Sequence, residues 1–275
     1  MLSLITTCKN RLSHLKQTLP LMLQQSYSEV IVVDYGCEQG TAAWVKQNYP
    51  KAKVVQVKDD PVFSLALARN IGAKTASHEF LCFIDADVVI YQDLGEWLKR
   101  NNDPMRLYLY PVQRERELSG FAMMAREQFL RIGGYDEAFR GWGGEDKDLY
   151  ERLQSTGLIE FFVPKNSISS IPHGNELRQL GKEAGGYDSM SEALSMNQLY
   201  RMIKRDIWKL TNTEIELENR LKLLNLIKTT NREAKMKGEK VFEIAIGVPM
   251  DLNSNEYARS LRRLIYKTPV RQATH

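Results

Sequence analysis

Phe80-Leu81-Cys82-Phe83-Ile84-Asp85-Ala86-Asp87 is an unbroken apolar run closed by two acids. A strand with one wet face alternates polar and apolar residues. A strand that is apolar throughout is buried on both faces, as in a parallel sheet covered by helices. The pattern recurs upstream in Val30-Ile31-Val32-Val33-Asp34, and Leu2–Thr6 and Lys53–Val57 are two further short strands. Between them, Leu12–Gln25 (despite Pro20), Thr41–Asn48 and the Ala-rich Ser64–Ala76 carry helical spacing. Strands alternating with helices predict an α/β fold with a mainly parallel central sheet flanked by helices. Ligands of such sheets bind beyond the carboxyl ends of the strands, where Asp34 and Asp85 both fall. Past about residue 105 the strands are shorter: Arg106–Tyr110, Gly120–Ala125, Glu160–Val163 and Ser167–Ile171.

The segment from Gly185 to Lys240 is helical in pattern and highly charged, with Leu217, Leu221, Leu224 and Ile227 as an apolar packing stripe. Val241–Val248 reads as a last strand. Residues 256–267 read as a basic amphipathic helix, setting Arg259, Arg262, Arg263 and Lys267 against Leu261, Leu264 and Ile265. The predicted organisation is a catalytic domain over 1–180, divided into a nucleotide-binding half (1–104) and an acceptor half (105–180). A mainly helical extension follows over 181–275.

In extended geometry residues i and i+2 point the same way, so Asp85 and Asp87 can reach one point beyond the sheet edge. Hard oxygen ligands there suit Mg²⁺ or Mn²⁺, although acids at strand ends are also common without a metal. His173 ends the short apolar run Ile171-Pro172 and reads either as a third metal ligand or as a loop histidine without a role. Arg69, in Arg69-Asn70-Ile71-Gly72, reads as a diphosphate contact or a surface charge. Thr6-Thr7-Cys8-Lys9-Asn10-Arg11 lines a nucleotide pocket or caps the next helix.

Residues 141–148, Gly-Trp-Gly-Gly-Glu-Asp-Lys-Asp, are the second informative stretch. Small residues bring the backbone close to a ligand, and an indole offers a flat apolar face. Leu149, Tyr150 and Leu153 have helical spacing, which puts Glu145 and Asp146 on a first helical turn. Free N–H groups and the helix dipole keep a carboxylate ionised there. An ionised carboxylate beside an aromatic platform suits proton removal from a sugar hydroxyl. An acidic N-cap after a Gly-rich turn is the alternative.

Composition excludes several classes. With 275 residues, 43% apolar and 26% charged, the chain is an ordinary globular protein, and a net charge of +4 does not call for nucleic acid. Four His leave little for a His-rich metal site. Cys8, Cys37 and Cys82 are odd in number and lie in or beside apolar runs, so they are expected to be reduced and buried, in a reducing compartment. Neither a signal peptide nor a membrane span is expected, which makes a cytoplasmic location the expectation.

Taken together, the residues resemble a GT-A glycosyltransferase of the family 2 type. Leu-Ile-Thr-Thr-Cys-Lys-Asn-Arg (4–11), Val-Val-Asp-Tyr-Gly (32–36) and Ala-Arg-Asn-Ile-Gly (68–72) resemble the nucleotide half of that family. The run from Ser119 to Asp148 is similar in order and spacing to a block of the beta-1,4-galactosyltransferases and the related bacterial chondroitin polymerases. Ser119, where those enzymes have Gly, and Lys147, within the acidic run, are departures. The resemblance covers roughly residues 1–180.

The resemblance implies a Rossmann-like fold and an inverting, metal-dependent transfer of a hexose or N-acetylhexosamine from a UDP-sugar to a glycan or glycolipid hydroxyl. It implies Thr6, Arg11, Asp34, Arg69, Asp85 and Gly120 at the donor, and Asp85, Asp87 and His173 at Mn²⁺ or Mg²⁺. It implies Trp142, Gly143 and Glu145 at the acceptor, with Asp146 as base; the helix-start position of Asp146 predicts a low pKa for it. The rival readings are a non-catalytic nucleotide-sugar or glycan-binding module and a nucleotidyltransferase. Surface polysaccharide synthesis is the expected setting; the basic C-terminal helix reads either as a peripheral membrane contact or as a helix packed on the catalytic domain with its charges in water.

Overall fold

The computed structural model describes residues 1–58, 62–111, 116–172, 186–251 and 259–270. The chain divides into two compact units, Met1–Asp136 with Glu145–Leu180, and Glu137–Gly144 with Gly181–His275.

The first unit is built on strands β1 (Leu2–Cys8), β2 (Ser28–Asp34), β3 (Lys53–Gln56), β4 (Phe80–Phe83), β6 (Arg106–Leu109), β7 (Ala122–Ala125) and β8 (Ile159–Phe162). They form one sheet in the order β3-β2-β1-β4-β7-β6-β8. Only β7 runs against its neighbours, β4 and β6; every other pairing is parallel. The apolar runs therefore produce the mostly parallel sheet that they predict. The same alternation puts helices on both faces. Leu15, Leu19 and Met22 of α1 (Leu12–Leu23), Val45 of α2 (Thr41–Asn48) and Leu94 and Leu98 of α4 (Leu94–Asn101) pack into one core. Ala66, Ala68 and Ala73 of α3 (Leu65–Thr75), Phe129 of α5 (Arg126–Arg131) and Leu149 and Leu153 of α6 (Glu145–Ser155) pack into the other.

Two local features set the sheet edge where the acids lie. The side chain of Ser64 caps α3 by accepting from the Leu67 N–H at 3.2 Å. Gly72 lets α3 lie close to the sheet, since a Cβ there would come within 2.4 Å of the Ile5 side chain. A second, two-stranded ladder pairs β5 (Val88–Ile90) antiparallel with β9 (Ile168–Ser170). It draws the chain after residue 167 alongside the acidic turn, where the Ile171 N–H donates to the Asp87 carbonyl at 2.8 Å.

The second unit contains α7 (Met190–Thr211), α8 (Leu217–Met236) and an antiparallel ribbon of β10 (Val241–Asp251) and β11 (Arg259–Pro269). Its core gathers Phe139, Tyr187, Met196, Tyr200, Ile203, Leu224, Ile227, Phe242 and Ile244. The sequence reading needs two corrections here. The stripe begins a turn later than predicted: Leu217 and Leu221 are exposed, while Leu223, Leu224, Ile227, Asn231 and Ala234 are buried. The basic segment predicted as a helix over 256–267 is a strand from Arg259, so 181–275 is not wholly helical. Its inward positions Leu264, Tyr266 and Thr268 alternate with the exposed Ile265 and Lys267, a period of two that eleven cross-strand pairings with β10 impose. Residues 256–258 lie outside the described residues. Among the described residues no helix is long and apolar enough to cross a membrane.

Candidate active site

In the first unit, Asp85 and Asp146 of the predicted site residues meet at one buried guanidinium, that of Arg69. Arg69 leaves α3 only 2% exposed. Its Nη1 donates to Asp146 Oδ1 at 2.5 Å and to the Tyr135 hydroxyl at 3.1 Å, and its Nη2 donates to Asp85 Oδ1 at 3.0 Å. The Tyr135 hydroxyl in turn donates to Asp146 Oδ1 at 3.3 Å. Asn70, the next residue on α3, grips the backbone of Tyr135 from both sides, with Nδ2 donating to its carbonyl and Oδ1 accepting from its N–H, both at 2.9 Å. The Arg69-Asn70 pair thus orders the tyrosine and the carboxylate together. Gly120 closes the cluster: a Cβ there would come within 2.8 Å of Arg69 Nη2, 3.1 Å of Asp85 and 3.5 Å of Asp146. A side chain at 120 would occupy the space these groups share.

Burial controls the electrostatics. Asp146 and Glu145 open α6 as the spacing predicts, but the expected low pKa of Asp146 is not found. Burial raises it; Arg69 pulls against that, and the nearby Asp85 charge adds to it. Glu145, buried, is raised by desolvation first and by the adjacent Asp146 second. The helix N-terminus is outweighed because two carboxylates share a site with little water. Burial alone would lower the pKa of Arg69, but Asp146, Tyr135 and Asp85 hold it firmly protonated.

A raised folded-state pKa means that the folded chain holds its proton where the unfolded chain has lost it. Stability conferred by neutral Glu145 is therefore complete below the ordinary carboxylate range and is lost as pH rises toward its raised value. Glu145→Gln is expected to flatten that decline in a series of thermal melts across this range. An unchanged slope would remove Glu145 as its source.

The remaining predicted donor residues take varied positions. Asp34, 2% exposed, accepts from the Cys37 N–H at 2.8 Å and from the Ala42 N–H at 2.9 Å, so both oxygens brace the turn into α2. Thr6 is fully buried in β1, and its Oγ1 has no hydrogen-bond partner among the described residues. Arg11 lies not beside Arg69 but against the second acid, donating from Nη1 to Asp87 Oδ2 at 2.6 Å. Asp85 and Asp87 follow the end of β4 in a turn, and each meets a different arginine.

Their chemistry, two carboxylates two residues apart at the sheet edge, fits a hard divalent cation. Among the described residues no group of three or more His, Cys, Asp or Glu gathers for a metal. His173 lies outside the described residues; the chain is followed to Pro172, just after the Ile171–Asp87 hydrogen bond.

Trp142 and Gly143 belong to the second unit, in the segment Glu137–Gly144. Trp142 is 40% exposed, and Gly141, Gly143 and Gly144 all have positive φ, at 73°, 83° and 105°. Only glycine takes those angles without strain, which explains the three glycines around one indole.

Sequence reasoning missed Tyr135, Asn70 and Asn197. Tyr135 stands in Gly133-Gly134-Tyr135-Asp136, a stretch with turn composition whose spacing does not mark the tyrosine as part of a site. Asn70 lies next to a residue that was singled out.

Residues 6–101 match a family model described as glycosyltransferase like family 2, and residues 104–178 match one described as N-terminal domain of galactosyltransferase. Beta-1,4-galactosyltransferase 5 of Danio rerio is 30% identical over 143 residues, 47% of this chain and 37% of that protein. Beta-1,4-galactosyltransferase 1 of Bos taurus is 25% identical over 169 residues, 57% of this chain and 37% of that protein. The chain thus spans well under half the length of these relatives.

Two solved structures share the fold. A mannosyltransferase from Pyrobaculum calidifontis, in complex with GDP-Man and Mn²⁺, has a TM-score of 0.54 at 17% identity over 86% of this chain and 76% of its own. S. aureus TarS 1-349, in complex with UDP-GlcNAc, has a TM-score of 0.57 at 15% identity over 85% of this chain and 72% of its own. Residues 6–101 are therefore similar to family 2 glycosyltransferases and residues 104–178 to galactosyltransferases, on a fold shared with solved glycosyltransferases of the GT-A type.

Proposed function

We propose that the protein is an inverting, metal-dependent glycosyltransferase that moves a hexose or N-acetylhexosamine from a UDP-sugar to a hydroxyl of a glycan or glycolipid. The observation that carries this reading is the Asp146–Arg69–Asp85 cluster packed around Gly120. It joins a carboxylate of raised pKa to the acid pair at the sheet edge, an arrangement that a module which only binds has no use for. A nucleotidyltransferase would need the acid pair but not the buried base.

Asp146 is the base. The acceptor oxygen attacks the anomeric carbon from the face opposite the departing diphosphate, its proton passes to Asp146, and the configuration inverts. A base is most effective when its pKa lies near the working pH. The burial that raises Asp146 therefore makes it a better proton acceptor than a helix-start acid would be. Arg69 holds the carboxylate in orientation, and its charge keeps the pKa from rising further. Trp142 offers a face to the acceptor ring, and Glu145 hydrogen-bonds its hydroxyls. Asp87 and Asp85 would hold Mn²⁺ or Mg²⁺, with His173 as a third ligand, and such an ion supplies compensation for the negative charge that builds on the leaving diphosphate.

A panel of nucleotide sugars assayed for nucleotide release, with and without simple sugar acceptors, tests the reading. Release is expected with a UDP-sugar of galactose, N-acetylgalactosamine or N-acetylglucosamine in the presence of Mn²⁺. It is expected to vanish in excess EDTA and in Asp87→Ala, whose circular dichroism matches the parent's. Full turnover in EDTA, or GDP binding clearly tighter than UDP by calorimetry, would overturn the metal or the donor assignment respectively.

The same reading places the enzyme on the cytoplasmic side, in synthesis of a surface polysaccharide or glycolipid. All three cysteines are free and buried, which agrees with a reducing compartment. Peripheral membrane contact no longer has an interfacial helix to support it. It rests on the exposed Arg262, Arg263 and Lys267 beside Ile265 on β11, and co-sedimentation with anionic vesicles decides it.

A further inference from the structure

One side chain of α7 shapes the turn that carries Trp142. Asn197 is fully buried. Its Nδ2 donates to the Arg140 carbonyl at 3.0 Å and to the Gly143 carbonyl at 2.7 Å, while its Oδ1 accepts from the Tyr187 hydroxyl at 3.4 Å. The two carbonyls bracket Trp142 in sequence. A turn with three glycines at positive φ has no ladder of its own to satisfy its backbone, so these carbonyls depend on an outside donor. The surroundings of α7 also mould the glycines. A Cβ on Gly141 would come within 2.8 Å of the Tyr187 ring, one on Gly143 within 3.0 Å of Leu194, and one on Gly144 within 3.0 Å of Asn197 Cβ. The backbone therefore lies directly against the helix face, and Asn197 pins it on both sides of the indole.

We infer that Asn197 is a positioning residue for the acceptor: it sets the backbone on either side of Trp142, so that α7 belongs to the acceptor-binding apparatus. The inference rests on the reading of Trp142 as the acceptor's platform. The occupant it implies is a neutral sugar ring that presents an apolar face, because the turn offers an indole and backbone and no charged side chain between Gly141 and Gly144. Asn197 touches neither donor nor acceptor in this account, so its loss acts on acceptor affinity and leaves donor chemistry in place.

The test uses the full chain and three variants, Asn197→Ala, the isosteric Asn197→Asp and Trp142→Ala. Acceptor KM, donor hydrolysis without acceptor, and deuterium exchange of the amides at 141–144 are measured for each. Both Asn197 variants are expected to raise acceptor KM by about tenfold, the effect of losing donors to two buried carbonyls. Donor hydrolysis is expected to stay within about twofold of the parent while the turn amides exchange faster. Trp142→Ala should raise acceptor KM as well. An unchanged acceptor KM in the Asn197 variants, alongside a raised one in Trp142→Ala, overturns the role of Asn197. A proportionate fall in acceptor and donor reactions also overturns it, because that is general damage.

If Trp142→Ala leaves acceptor KM unchanged, the platform reading fails. Exchange at 141–144 then judges the tie alone, and exchange no faster than the parent's overturns that too. Should the Asn197 variants melt below the assay temperature, Tyr187→Phe removes only the hydroxyl that orients the amide. Raised acceptor KM with intact donor hydrolysis in that variant supports the inference, and unchanged KM overturns it.

Discussion

Asp146→Asn is expected to lower turnover by on the order of 10³-fold with donor affinity unchanged. The substitution keeps the shape and removes the proton acceptor. It also removes one of the two carboxylates facing Arg69, so part of the loss comes from a less constrained side chain. A base acts on the acceptor hydroxyl and not on the nucleotide, so donor binding by calorimetry should not move. Glu145→Gln is the control for the assignment. If Asp146→Asn retained most of its activity and Glu145→Gln lost it, the base would be the wrong member of the pair. The acid limb of the parent's pH–activity profile should lie above the ordinary carboxylate range, because burial raises Asp146 and the protonated form cannot accept a proton.

Arg69→Met is expected to cost about 3 kcal/mol of stability and to abolish measurable transfer. Arg69 is buried between Asp146 and Asp85, whose side chains are 18% and 34% exposed, and its removal leaves both carboxylates facing each other without a counter-charge. Water reaching Asp85 limits the penalty, which is why the lower end of the range for breaking a buried pair is appropriate. Protonation of Asp146 relieves the repulsion and disarms the base at the same moment. Arg69→Lys retains a charge but not the fork that serves two acids and Tyr135, and is expected to recover stability ahead of activity. Urea titration and turnover measured side by side would show this; wild-type turnover in Arg69→Met would mean that the clamp has no catalytic part.

Much of the first unit was legible from periodicity. Short, β-branched or aromatic apolar runs such as Val30–Val33 and Phe80–Ile84 favour a strand covered on both faces, which puts the acids that end them at the carboxyl edge of the sheet. The opening of α6 at Glu145 was legible for a similar reason, since a Gly-rich turn, two acids and then Leu149 and Leu153 leave little freedom. The segment over 256–267 was not. Leu261, Leu264 and Ile265 suit a helix face as well as a strand edge, and a short amphipathic pattern does not say which partner will supply hydrogen bonds. Pairing with β10 decided it.

The sequence by itself determined the alternation of strands and helices up to β4, the placement of acids at the sheet edge and of two acids directly after a Gly-rich aromatic turn, because these depend on spacing along one stretch of chain. Tertiary structure alone decided that Arg69 faces inward, that Asp146 has a raised pKa and that Asp34 is occupied by a turn. It also decided that Asn197, more than fifty residues away, holds the turn around Trp142. Each of these depends on which groups from distant segments share a space closed to water. Charge and hydrogen-bonding energies change most steeply with burial, and burial is a property of the assembled chain.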